Sequence, residues 1–279
     1  MTKRGGPDRI DAQVARLRIL EVTNPSAAVD FAIELVGREH VHRALEPALK
    51  LIEQAAAADA RPALRARYAD LAEHGDRHDQ DCALRVGIVK ALAAVGSRED
   101  GDIAEAAIGT VQIRMGVDVA QNLRAEGLLF LAAIEPELSD FRAVELLSDP
   151  HVSTFSGEPS ATAIRVLAGH GQMLPIWAVA RRAETPPDVL AQAFASLARG
   201  APKRLQTQAL LEQLGSARGR GEEGEPLALV AAEAILLNDL RDGYGAVMEL
   251  LRTTPNANLR EYLEIAVKRS AAYPLLKSR

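Results

Sequence analysis

Cysteine, aromatic residues and strand-forming runs are all scarce in this chain of 279 residues, and each scarcity removes a class of answer. The single cysteine, Cys82, excludes an intrachain disulfide and suits a reducing compartment. Aromatics make up 4% of the chain against 48% apolar residues, with Ala and Leu prominent, which favours closely packed helices over a bulky sandwich core. No run of about 18 apolar residues occurs, and the N-terminal MTKRGGPDRIDAQ has no apolar h-region. Neither a membrane span nor a secretion signal is indicated, so the cytoplasm is the expected location. Neither a phosphate-binding G-x-x-x-x-G-K-[ST] loop nor a G-x-S-x-G nucleophile elbow is present, and no cofactor is expected. A formal charge of -5 argues by itself neither for a nucleic-acid binder nor for a partner of opposite charge.

What is abundant is helical periodicity. In Asp79–Gly96, DQDCALRVGIVKALAAVG, the residues Leu84, Ile88, Leu92 and Val95 fall on one helical face. Asp79 or Asp81 is a candidate N-cap, and the helix is expected from Gln80 to Gly96. Small apolar residues flank that face, so only Arg85 and Lys90 ask for water, as in a helix covered on most sides. The phrase returns 39 residues later: Leu123-Arg124 and Leu131–Ile134 repeat Leu84-Arg85 and Leu92–Val95, and Asp118 stands to Arg124 as Asp79 stands to Arg85. Looser echoes follow at Val166–Gly171, Ser196–Gly200 and Ile235–Asn238, at spacings typical of helical repeat arrays.

An Asp, then Leu-Arg, then an Ala- and Leu-rich helix closing on Gly or an acidic turn resembles the second helix of HEAT repeats, over roughly Gln80 to Leu251. The resemblance implies an all-α, right-handed α-solenoid of HEAT-like helix pairs, with Asp79/Arg85 and Asp118/Arg124 as a structural ladder between repeats. It also implies a non-catalytic scaffold that binds a protein or peptide along its concave face. Met1–Pro7 reads as a polar tail and residues 8–279 as one repeat domain, because in such arrays each repeat touches only its neighbours.

Fifteen helices are expected, many beginning at Pro or Asn. They are Asp8–Val22, Asn24–Gly37, Glu39–Asp59 with Pro47 starting or kinking it, Arg61–His74, Gln80–Gly96, Asp102–Ile113, Gln121–Ile134 and Leu138–Leu147. Ser160–Leu167, Pro175–Ala183, Pro187–Ala198, Pro202–Leu214, Pro226–Leu237, Asp242–Arg252 and Asn258–Ser270 complete the set. Two connections are long, Asp149–Pro159 and Gly215–Pro226, and the second reads as a mobile insertion.

Charge is unevenly placed. Residues 101–160 carry 3 basic against 10 acidic side chains, whereas residues 161–220 carry 8 basic against 3 acidic. The basic block supplies the candidate partner-binding residues Trp177, Arg181, Arg182, Lys203 and Arg204, whose field would steer a partner of opposite sign. The bland alternative is decoration of solvent-facing helices, with Trp177 buried between two helices. Trp177, Arg181, Arg182 and Asp188 are also similar, in residue types alone, to the lesion site of HEAT-like DNA alkylpurine glycosylases, a nucleic-acid-acting alternative in which Asp188 would be catalytic. His74, His78 and Cys82, spaced by four with Asp76, Asp79 and Asp81 between them, offer N, S and O ligands of the kind zinc accepts. They lack a four-ligand signature, and the helix end expected at Gly75 would separate the histidines, so no metal is assigned. His40 and His42 read as ordinary surface residues.

Overall fold

In the computed structural model, which describes residues 7–182 and 184–274, the protein is all-α, with fifteen α-helices and one two-stranded hairpin among the described residues. Of the polar tail expected over Met1–Pro7, only Pro7 is described, as the first residue of a helix; the rest lies outside the described residues. Two compact units divide the chain, Met1–Glu145 and Leu146–Arg279.

The first unit contains α1 (Pro7–Thr23), α2 (Pro25–Arg38), α3 (His42–Ala55), α4 (Arg61–His78), α5 (Ala83–Val95), α6 (Gly101–Ile108), the hairpin strands β1 (Ile113–Arg114) and β2 (Val117–Asp118), α7 (Gln121–Ile134) and α8 (Pro136–Leu146), whose last residue crosses into the next unit. Helices α1, α3, α5 and α7 pack in a row, while α2 touches α1, α3 and α4, and α6 touches α5 and α7. The start of α2 has a local cause. Asn24 accepts a hydrogen bond from the Ala27 amide and Pro25 opens α2. Pro47 sits inside α3, in its second turn, rather than at its start.

Several boundaries differ from expectation: α3 is His42–Ala55 where Glu39–Asp59 was expected, the helix expected from Pro175 begins at Met173, and three further differences lie in the first unit. The lead helix begins at Ala83, not Gln80, because the Asp79 carboxylate accepts from the amides of Leu84 (2.9 Å) and Arg85 (3.1 Å) while Cys82 takes a left-handed φ of 60°. Helix α4 continues past His74, where it bends (φ -120°), to His78. The third difference is in the segment expected to be helical to Ile113: the helix stops at Ile108 and residues 113–118 form an antiparallel hairpin around Met115-Gly116, both at positive φ (50° and 81°). Its strands alternate Val111, Ile113, Val117 and Val119 with polar residues, a period-two signal overshadowed by the helices on either side.

The second unit contains α9 (Ser160–Gly169), α10 (Met173–Ala180), α11 (Pro187–Leu197), α12 (Lys203–Arg218), α13 (Glu225–Leu237), α14 (Tyr244–Thr253) and α15 (Ala257–Lys268). Here α9, α11, α13 and α15 form the row; α10 touches α9 and α11, α12 touches α13, and α14 touches α13 and α15. The connection expected to be a mobile insertion at 215–226 is largely helical. Helix α12 runs to Arg218, Ala217 is buried, and a short 3-10 turn at Gly221–Gly224 leads straight into α13. The other long connection is folded upon itself: the Ser153 amide donates to the Glu158 carbonyl, and the Ser153 hydroxyl accepts from the amides of Phe155 and Ser156.

Candidate functional site

The repeated Asp/Arg phrase resolves into two buried ion pairs in the first unit. Arg85 Nε lies 2.9 Å from Asp79 and Arg124 Nη1 lies 2.5 Å from Asp118, with all four side chains at most 4% exposed. Arg85, expected to seek water, is therefore covered, because its charge is met by Asp79 and by Gln112. Gln112 joins the two pairs: its Oε1 accepts from Arg85 at 2.5 Å, its amide nitrogen Nε2 donates to the Gln80 carbonyl at 3.0 Å, and its backbone N–H donates to Asp118 at 3.0 Å. No sequence pattern marked Gln112, since it lies outside both repeat phrases. Gly75 makes room for this link; a Cβ there would stand 2.9 Å from Arg85 Nη2.

Cys82 belongs to this network. Its Sγ receives Arg85 Nη2 at 3.1 Å, and burial pushes its thiol up to about 11. His74 and His78 do share a neighbourhood, with His40 as the third ring: centroids lie 6.4 Å apart for His74/His78 and 6.1 Å for His40/His78. Asp70 and Arg67 stand beside them, Arg67 Nη1 2.9 Å from His40 Nδ1 and 2.9 Å from Asp70. His40 is at the surface, as expected, and is also part of this polar cluster. The Asp76 side chain lies outside the described residues, and among the described residues no three His, Cys, Asp or Glu side chains converge to hold a metal. A thiol so placed should resist modification. We expect an aromatic disulfide reagent to label Cys82 in the folded protein at least about a hundredfold more slowly than in the urea-unfolded chain, read by absorbance of the released thiolate.

The basic block of the second unit separates into cations that are engaged and cations that are not. Helices α10 and α12 lie side by side: Met173 abuts Gly200, just before α12, and at the other end Gln213 Nε2 donates to the Ala180 carbonyl at 3.4 Å. There Arg181 forms an ion pair with Glu212 and stands 5.8 Å from the Trp177 ring centroid. The hydrogen bond from Arg181 holds the Glu212 carboxyl below the usual carboxylate range. Arg182 reaches back to the 147–148 segment, donating to the Ser148 hydroxyl at 3.0 Å and to the Leu147 carbonyl at 3.3 Å. Two of the four candidate cations are therefore occupied in holding the unit together.

Lys203 and Arg204 open α12 and are exposed. Arg199, which sequence reasoning passed over, is exposed three residues before the start of that helix's preceding Pro202. Neither Arg199 nor Arg204 has an ion-pair partner among the described residues, while the Asp239 carboxyl is held down first by the Tyr244 hydroxyl, then by Arg241, with Lys203 adding least. Trp177 is half-buried and so is not sealed between helices. Leu174, one turn before it on α10, is 82% exposed, and Leu205 and Leu211 on α12 are 43% and 37% exposed. Asp188 is exposed in the first turn of α11, facing Gly157 of the 149–159 connection, and has no hydrogen bond to Trp177 or Arg181 among the described residues.

A concavity of about 640 Å³ lies between α13 and α15, lined by Leu237, Tyr262 and Ile265, with the Tyr262 hydroxyl donating to Glu233 at 2.6 Å. It shares no residue with the α10–α12 surface. No helix among the described residues is long and apolar enough to cross a membrane. No protein-family model, curated protein or solved structure matches this chain.

Proposed function

We propose that the chain is a non-catalytic binding scaffold, a right-handed solenoid of HEAT-like helix pairs that presents a surface to a protein or peptide partner in the reducing cytoplasm, without a cofactor. The row of alternate helices within each unit, with the intervening helices against it, supports the repeat reading. So does the recurrence of a buried Asp/Arg pair at the same place in successive repeats. The observation that carries the functional reading is the α10–α12 surface. Leu174 and Trp177 stand exposed and half-buried on α10, in the same unit as the exposed Arg199 and Arg204, which have no ion-pair partner among the described residues. Such a combination of apolar centre and charged rim is how proteins mark a surface for another chain.

The test is affinity capture from a native lysate with the wild-type chain, K203E/R204E, and R181E/R182E. We expect a specific protein to be retained by the wild type and lost from K203E/R204E while helix content by circular dichroism is unchanged. Reversal of Arg181 and Arg182 should instead lower thermal stability, because it breaks the Glu212 pair and the 147–148 anchor. Capture unaffected by K203E/R204E would make the cations surface decoration. An eluate dominated by nucleic acid would point to the DNA-acting alternative, to be followed by base release from alkylated DNA and its loss on Asp188→Asn.

A further inference from the structure

Resting on that reading, we infer that the segment bound across α10 and α12 is an acidic, amphipathic peptide, oriented with its carboxylates at the start of α12 and its apolar side chains along Leu174 and Trp177. The two ends of the surface differ in charge. Arg199, Lys203 and Arg204 lie within six positions of one another around the turn into α12, and all are exposed. They stand at the N-terminal end of a 16-residue helix, where the macrodipole already places positive potential. Cations there oppose the dipole, an arrangement unfavourable in the free protein that an anionic ligand would relieve. Among the described residues the acid found to act on this end is Asp239, and it is shared: the Tyr244 hydroxyl donates to it at 2.6 Å and Arg241 Nε lies 3.5 Å away. At the opposite end, Glu212 is paired with Arg181 and hydrogen-bonded by Gln208, so cation and anion cancel.

Between the two ends the α10 side of the surface is hydrocarbon at Leu174 and Trp177, while the α12 side is polar. Leu174, Trp177 and Arg181 recur at i, i+3 and i+7 on α10, and Arg204, Gln208 and Glu212 recur at i, i+4 and i+8 on α12, so each helix contributes one continuous stripe. Leu205 and Leu211 border the α12 stripe. A ligand complementary to such a surface needs carboxylates to meet Arg199 and Arg204, and aliphatic or aromatic side chains to cover Leu174 and Trp177. A nucleic acid satisfies only the first requirement. Its phosphates would run on past the cationic end towards Glu212, and its binding rests on many backbone contacts where this surface offers three cations.

Trp177 is the only tryptophan of the chain, so its emission reports on this surface alone. The full chain is titrated with a synthetic helix of Leu and Glu, with the same helix carrying Gln for Glu, with one carrying Lys for Glu, and with a single-stranded oligonucleotide. The expected result is a saturable change in Trp177 emission with the Leu/Glu helix, weakened by added salt. R199E/R204E should weaken it about tenfold, since two attractions become two repulsions at a solvent-exposed rim. Leu174→Ala should weaken it as well, with little effect on folding because that side chain is exposed. The inference is overturned if the Gln or Lys helix binds as well as the Glu helix, if the oligonucleotide displaces it, or if R199E/R204E binds unchanged. The scaffold reading fails separately. A partner captured from lysate and lost from K203E/R204E, with no response to the Leu/Glu helix, would retain the scaffold and discard the acidic ligand; neither capture nor response would remove both.

Discussion

Asp79→Ala is expected to destabilise the protein by about 3–5 kcal/mol, the range for removing one partner of a buried ion pair. The carboxylate does two things at once. It accepts the amides of Leu84 and Arg85, capping the start of α5, and it neutralises Arg85 at 2.9 Å. Without it, Arg85 remains 3% exposed with a full charge answered by neutral groups alone: the Gln112 amide, the Cys82 sulfur and the residue 79 carbonyl at 3.5 Å. Desolvation is what makes the loss large: an exposed pair of the same geometry contributes about 0–1 kcal/mol. Asp118→Ala should cost a similar amount, because it strips the same kind of pair from Arg124 and leaves the amides of Gln112 and Ala120 without their acceptor. Since Gln112 bonds to both pairs, the double variant should depart from additivity by about 0.5–3 kcal/mol. Urea unfolding of the two single variants and the double measures all three quantities. A loss below about 1 kcal/mol for Asp79→Ala would mean that Arg85 finds water or another acceptor when its partner is gone.

Gly224→Ala is the second large effect. A Cβ at this position would stand 2.0 Å from the Ala217 carbonyl oxygen, 2.8 Å from its carbon and 3.0 Å from its Cα. All three are backbone atoms, so no rotamer change relieves the clash; the last turn of α12 must separate from the start of α13. We expect a loss of about 3 kcal/mol, at the upper end of what overpacking costs, because α12 is joined to α13 here. Gly37→Ala is the matched comparison. It lies in α2 with nothing within 4 Å of the added methyl, so alanine should stabilise by about 0.5–1 kcal/mol through its helix preference. Thermal unfolding of the pair should move in opposite directions. Equal, small shifts would mean that α12 and α13 slide apart without cost.

Helix by helix, the all-α class and the place of each interval were legible, since the signals are local. Asn24 and Pro25 start α2, Pro187 starts α11, and the spacing of Leu84, Ile88 and Leu92 fits one buried face, as all three prove to be. The failures fall where two segments meet. The start of α5 moved because Asp79 turned inward, α12 lengthened because Ala217 packs beside Gly224, and the 111–118 hairpin is secured at its root by Gln112 and Asp118, residues that no helical period singles out. The candidate surface was legible as a charge excess around Trp177 and the α12 start, yet its composition was not. Arg181 and Arg182 proved to be tied to Glu212 and Ser148, and Arg199, unmarked by any motif, stood free of an ion pair among the described residues.

By itself, then, the sequence determined the helical class, the helix positions, the equivalence of Asp79/Arg85 with Asp118/Arg124, and the sign of the charge in each block. Those depend on neighbours within one or two turns, where period, caps and composition act directly. Only the tertiary structure decided which arginines are buried and which face water, that Gln112 joins the two buried ion pairs, and that Leu174 and Trp177 are not sealed between helices. A charge's fate depends on the counter-ion that packing brings within about 4 Å, and for Arg181 that residue, Glu212, is supplied by a different helix whose approach no local pattern encodes.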